Sequence, residues 1–248
     1  CFSFSILNYN RYSSFGNDAG VNLLFLLLIY KTFNLIKKEI FANDIFFLSF
    51  ISLFCFAQKS FFILSFIIPF LILIYFHRKN FFIIIKSKKI IILFILLSIL
   101  FLKNILISGC MIFPVKKTCF EKLSWYNNIT TTREEIMAEA WAKDWINSNQ
   151  KLSPEEYSQN FNWLETWSNN HATIIIKKLA PFIFILFIFI IYGFISSKKK
   201  FYKSKLDNEK IFLILIIVSL ISFCFWFIKF PIYRYGSGIL GGSLILFS

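Results

Sequence analysis

Long apolar runs alternate with short polar breaks along this chain, and the runs have the length of helices rather than strands. They predict helices over 21–36, 45–57, 61–76, 90–107, 179–195 and 211–228, each near the roughly 20 residues that carry a helix across a bilayer core. Gln58-Lys59-Ser60 reads as a tight turn joining the second and third runs. A further run opens at Ile239 and is read as a truncated seventh. With a start at Cys1 in place of Met, this predicts an internal piece of a longer protein, a lipid-modified Cys1 being the rival explanation.

One stretch breaks the pattern. Residues 103–178 are predominantly polar and hold five of the six tryptophans, at positions 125, 141, 145, 163 and 167. Within it, Thr132-Arg-Glu-Glu135 and Ser153-Pro-Glu-Glu156 have capping-box spacing, and Pro154 suits a first helical position. These signals predict two helices, over 133–147 and 154–168, with Trp141 and Trp145 on one face and Trp163 and Trp167 on another. The expected fold class is therefore all-α: a polytopic transmembrane helical bundle with one helical-hairpin loop. Its parts are 1–102, four spans with an N-terminal surface segment; 103–178, the loop; and 179–248, two spans and the truncated seventh.

Composition agrees with a membrane setting, since 57% of residues are hydrophobic and 35 are phenylalanine, against about 45–50% apolar residues in soluble domains. The formal charge of +14 gathers in short loops at 37–38, 78–89 and 198–210. By the positive-inside rule these three loops share the cytoplasmic side, which turns Asp18, Lys59, the 103–178 loop, Lys229 and Arg234 outward. Anionic lipid accounts for the charge better than nucleic acid does. An outer loop lies in an oxidising compartment, so Cys110 and Cys119 are expected to close a small disulfide ring, two unpaired thiols being the alternative. Cys55 and Cys224 lie within spans and read as small apolar residues.

Candidate chemistry lies on that outer side. Asp18 stands at the mouth of an apolar helix, a costly position unless the acid is solvated, paired or used. It could act as a general base or hold a divalent metal, or simply cap the helix. Arg11, Lys59, Lys229 and Arg234 could grip a phosphate, or meet lipid head groups. Trp141 and Trp145 could stack on a sugar or pack at the membrane interface. The carboxylates Glu134, Glu135, Glu139, Glu155 and Glu156 read as helix-start residues, and His77 and His171 as interfacial. Gly236-Ser-Gly238-Ile-Leu-Gly241 matches a dinucleotide fingerprint but follows no strand; Gly238 and Gly242, four apart, suit close helix packing instead.

Several stretches together, NYNRYSSFGNDAG, the Gln58-Lys59-Ser60 turn, KNILISGCMIFPVKKTCFEKLSW, the paired tryptophans and WFIKFPIYRYG, resemble an uncharacterised family of bacterial multi-pass inner-membrane proteins. That family is itself distantly similar to GT-C-type glycosyltransferases and O-antigen polymerases. The resemblance implies an enzyme of cell-surface glycan biosynthesis that transfers or polymerises sugars from a polyprenyl-phosphate-linked donor on the outer face of the inner membrane. Asp18 would then be the catalytic carboxylate and Lys59 and Arg234 the phosphate ligands. The alternative is a non-catalytic membrane transporter or assembly scaffold; the centres of the spans hold almost no ionisable groups, which disfavours ion coupling.

Overall fold

The structure, a computed structural model, describes residues 18–35, 40–76, 81–196 and 206–246. Arg11 and His77, the rest of the N-terminal surface segment before Asp18, and Lys37, Lys38, Arg78, Lys79 and 198–205 of the basic loops lie outside the described residues. Regular structure among the described residues is helical, and the extended pairing they contain is an isolated antiparallel bridge between Cys110 and Cys119.

Helix α1 (Asp18–Asn34) starts three residues before the expected point, so Asp18 sits in its first turn and Lys31 in its last, complementing the helix dipole at both ends. In α2 (Ala42–Gln58) the Asp44 carboxylate reaches back to the Phe41 N–H at 3.0 Å. The single helix expected over 61–76 is corrected: the chain runs as a 3₁₀ stretch, Ser60–Phe66, before α3 (Ile67–Phe76). Pro69 has no N–H for the Ser65 carbonyl, and its ring crowds that oxygen. The freed carbonyl accepts instead from Ser52 Oγ at 3.1 Å, and both serines are fully buried.

The short α4 (Phe81–Ile85) leads into α5 (Lys88–Ser108). Gly109 ends α5 in the left-handed region, φ +78°, with its N–H on the Ile105 carbonyl at 2.8 Å. Only glycine suits both that φ and the approach of Tyr126, whose Cβ would lie 2.9 Å from an added β-carbon.

The expected helical hairpin is also corrected. Helix α6 spans Asn128–Ala142 rather than 133–147, because the Asn127 side chain accepts the Thr130 N–H at 3.0 Å and starts the helix before the threonine box is reached. The second box does form, Ser153 with Glu156, but α7 (Pro154–Ser158) stops after five residues. Asn160 and Phe161, at φ 50° and 59°, turn the chain out of the helix. A new helical path then opens with α8 (Leu164–Trp167), passes through a π turn, Ser168–Ala172, and continues as α9 (Thr173–Ser196). Helix α10 covers Leu206–Lys229. Helix α11, Tyr233–Leu246, begins six residues before the run expected from Ile239 and so takes Arg234 into its first turn.

Helices α1, α2, α3, α10 and α11 enclose the core, which includes Leu28, Ile45, Ile68, Ile72, Leu215 and Val218. The most extensive packing is between α1 and α11. There Gly238 lets the backbones meet, its N–H donating to Asn22 Oδ1 at 2.8 Å, while Gly242 faces Phe25 and Ile29. Among the described residues two helical segments are long and apolar enough to cross a membrane, Lys88–Ser108 and Lys210–Lys229; Ala42–Gln58 and Ser60–Tyr75 are apolar but shorter. Much of α5 faces outward, with Ile92, Phe94, Ile95 and Ile99 all exposed.

A β-carbon at Gly238 would lie 2.7 Å from Asn22 Oδ1 and 3.0 Å from the Asn22 backbone, whereas one at Gly20 meets nothing within 4 Å. Gly238→Ala is expected to destabilise the protein by about 1–3 kcal/mol through overpacking. Gly20→Ala is expected to be neutral or slightly stabilising through helix propensity. Thermal unfolding of the two variants in the same detergent checks the contrast.

Candidate functional site

The α1–α11 contact is also where the ionisable residues gather. Asp18 is brought to the end of α1 with its side chain only 6% exposed. Lys59, held in an extended conformation between α2 and the 3₁₀ stretch, sets its Nζ 2.7 Å from Asp18 Oδ1. From the first turn of α11, Arg234 brings its Nε to 3.5 Å from Asp18 Oδ2. Burying one carboxylate between two cations satisfies the charge requirement of a desolvated site. Asn22, one turn below, donates from Nδ2 to the carbonyls of both Asp18 and Arg234, at 2.7 and 2.8 Å. The backbones carrying acid and guanidinium are thus tied to one amide.

These groups line a cavity of about 370 Å³. Tyr235 forms one side, its ring centroid 5.2 Å from Lys59 Nζ and 4.9 Å from the Arg234 guanidinium. Phe61 and Phe225, stacked at 5.4 Å, form an apolar wall. The roof comes from the polar segment. Pro114 and Val115, at the tip of the ring closed by the Cys110–Cys119 disulfide, and Glu135, Ala138 and Glu139 of α6 all face the cavity. Glu135 also accepts the Lys116 N–H at 3.4 Å, so ring and helix form one cover.

Residues 1–241 match the family described as Domain of unknown function (DUF8201). The chain belongs to that family. No curated protein and no solved structure matches it. The description of that family names no reaction.

Of the residues singled out from sequence in this DUF8201 chain, Asp18, Lys59, Lys229 and Arg234 line the one cavity. Trp141 lies beside it, half exposed, with its ring 5.7 Å from the Arg234 guanidinium. Trp145 does not share the face of Trp141, because α6 ends at Ala142. Its indole N–H donates to the Leu152 carbonyl at 3.0 Å and ties the following loop. Trp163 and Trp167 offer no open platform: Trp163 is 1% exposed, and both rings pack edge-on against Phe227 of α10.

Helix-start reasoning missed Glu135 and, with more consequence for the site, Glu139. Its Oε2 lies 2.7 Å from Lys229 Nζ and its Oε1 2.6 Å from Lys143 Nζ. Glu139 and Lys143 stand at helical i, i+4 spacing, a signal present in the sequence; the pairing with Lys229, ninety residues on, is not. Lys143 is 2% exposed, and its ammonium also donates to the Ser158 carbonyl at 3.0 Å and sits 5.1 Å from the Trp163 ring. Burial pulls the Lys143 ammonium below its ordinary pKa, with Glu139 opposing that shift.

Behind the roof, Asp144 accepts from the side-chain amides of Asn147 and Asn170, each at 2.7 Å, and lies 3.5 Å from His171 Nε2. Burial holds the His171 pKa below its ordinary 6.5, and Asp144 only partly offsets this. The close contact is therefore not an ion pair at neutral pH.

Glu139→Ala leaves Lys143 buried without its carboxylate and is expected to cost about 3 kcal/mol, the low end for a broken buried pair because Glu139 is partly solvated; a thermal scan reads it. For His171 the unfolded state takes up its proton first, so stability is full above pH 6.5 and falls as pH drops through the lower folded-state pKa. Amide protection over 164–172, exchange measured relative to the intrinsic rate at each pH, is expected to fall on acidification from about pH 7.5 to 5, and His171→Gln is expected to abolish that dependence.

Proposed function

We propose that this chain is a multi-pass protein of the bacterial inner membrane that acts in cell-surface glycan biosynthesis. In this reading it transfers or polymerises sugars from a polyprenyl-phosphate-linked donor at the outer face. The observation that carries the reading is the Asp18 carboxylate, nearly buried between Lys59 and Arg234 in a roofed cavity at the mouth of apolar helices. The two long apolar segments and the outward-facing apolar side chains of α5 support the membrane setting. The charge asymmetry of the loops supports the orientation.

An acceptor hydroxyl attacks the anomeric carbon of the donor sugar and gives its proton to a carboxylate oxygen of Asp18. A new C–O bond forms as the bond from that carbon to the phosphate oxygen breaks. The negative charge that builds on the departing phosphate falls to Lys59 and Arg234, cations already in position before reaction. An incoming phosphate competes with Asp18 for those same cations, and substrate entry thereby frees the carboxylate oxygens. Asp18, placed between the two cations that would hold the phosphate, is the carboxylate on hand to accept that proton.

A second reading has its own support. Glu139 bonded to both Lys143 and Lys229 ties the polar layer to the end of α10, as a non-catalytic scaffold would require. The two readings part on one measurement, surface glycan made by cells lacking the chromosomal copy and carrying Asp18→Asn or Arg234→Ala at matched protein level. The transferase reading expects a fall of about a hundredfold or more. Normal glycan at normal protein level removes Asp18 and Arg234 from the reaction.

A further inference from the structure

A second cavity, of about 560 Å³, lies beside the first, between the end of α2, the outer third of α5 and the underside of the polar layer. Its surface is graded. Phe56, Leu100 and Ile107 make an apolar wall, while Asn127, which caps α6, and Thr130 within it give a polar rim. Lys103 is the charged residue among those lining it, and no carboxylate lines it. Among the described residues no carboxylate pairs with Lys103.

Depth matches this grading. Lys103 stands five residues before the end of α5 at Ser108, roughly 7–8 Å along the helix axis. At that level the Trp125 indole N–H donates to the Ile105 carbonyl at 3.0 Å. A tryptophan and a lysine at one depth beside an apolar stretch form the boundary where lipid phosphates and chains meet. The neighbouring Leu102 and Leu106 are exposed, leaving that side of α5 open.

The two cavities adjoin. Ser60 lines both, and α6 covers both, with 127–131 over the second and 135–139 over the first. The disulfide ring separates them, turning Phe113 to one side and Pro114 and Val115 to the other.

We propose that this groove binds a phosphate-bearing membrane lipid, with its phosphate on Lys103 and its chain along the Phe56–Leu100–Ile107 wall. Charge complementarity selects an anion, and the apolar wall selects one that carries a hydrocarbon chain. A lipid seated there has its head group next to the Lys59–Ser60 turn, which makes the groove a lateral approach to the Asp18 cavity. The inference rests on the membrane setting proposed above and is independent of the transfer chemistry.

The test titrates the detergent-solubilised full chain with dioctanoyl phosphatidic acid, with dioctanoylglycerol and with inorganic phosphate, bound ligand being read by native mass spectrometry. Phosphatidic acid is expected to bind more tightly than either of the others. Lys103→Ala is expected to weaken it roughly tenfold, the worth of one charge-assisted hydrogen bond, and Lys103→Arg to retain most of it. Wild-type affinity in Lys103→Ala overturns the proposal, as does equal binding of dioctanoylglycerol or of free phosphate. Loss in Arg234→Ala but not in Lys103→Ala moves the phosphate to the central cavity and overturns the groove. Release of the protein from membranes by alkaline carbonate would instead defeat the membrane setting, a failure distinct from any result of the titration.

Discussion

An ionised carboxylate with 6% of its side chain exposed cannot stand among apolar helices without compensation, and much of this structure is arranged around meeting that requirement at Asp18. The compensating cations come from two distant places. Lys59 reaches in because Lys59 itself is extended between α2 and the 3₁₀ stretch; Arg234 reaches in because α11 starts early enough to include it. The second arrival depends on a backbone feature, Gly238 allowing α11 to lie against α1. Asn22 then joins the two chain segments through three hydrogen bonds, to the carbonyls of Asp18 and Arg234 and from the N–H of Gly238.

A second set of charges couples the polar layer to the helices. Glu139 shares its two oxygens between Lys143, inside the layer, and Lys229, at the end of α10. Trp163 and Trp167 pack on Phe227 from the same layer. The layer is thus fastened to α10 by one electrostatic and one aromatic contact, while the disulfide ring and α6 span the adjoining cavities. A cover attached in this way can order the site beneath it, which suits the transfer reaction and the scaffold reading alike.

Much of the architecture was legible in the chain. Apolar runs marked where the apolar helices lie, with starts displaced by up to six residues in α9 and α11, since a 3.6-residue period and helix length are local properties. Position at helix mouths and turns drew attention to Asp18, Lys59, Lys229 and Arg234, because charged residues beside apolar runs are expensive wherever the chain goes. Where the reading failed, a nearby competitor won. Asn127 started α6 ahead of the threonine box, and two left-handed residues, Asn160 and Phe161, cut α7 short. Pro69 was visible, but its effect rests on Ser52 being across from Ser65 to take up the freed carbonyl.

The helical class, the division into apolar runs and one polar layer, and the small set of charges that would need partners all follow from neighbours along the chain and so were readable before any fold was known. Which charges pair was set by contacts between segments far apart in the chain. Lys59 and Arg234 fall to Asp18, and Lys229 to Glu139, through the close α1–α11 approach and the seating of α6 over it. Those contacts also decided that Trp163 is core while Trp141 stays open beside Arg234, as burial is a property of what packs against a face and not of the face itself.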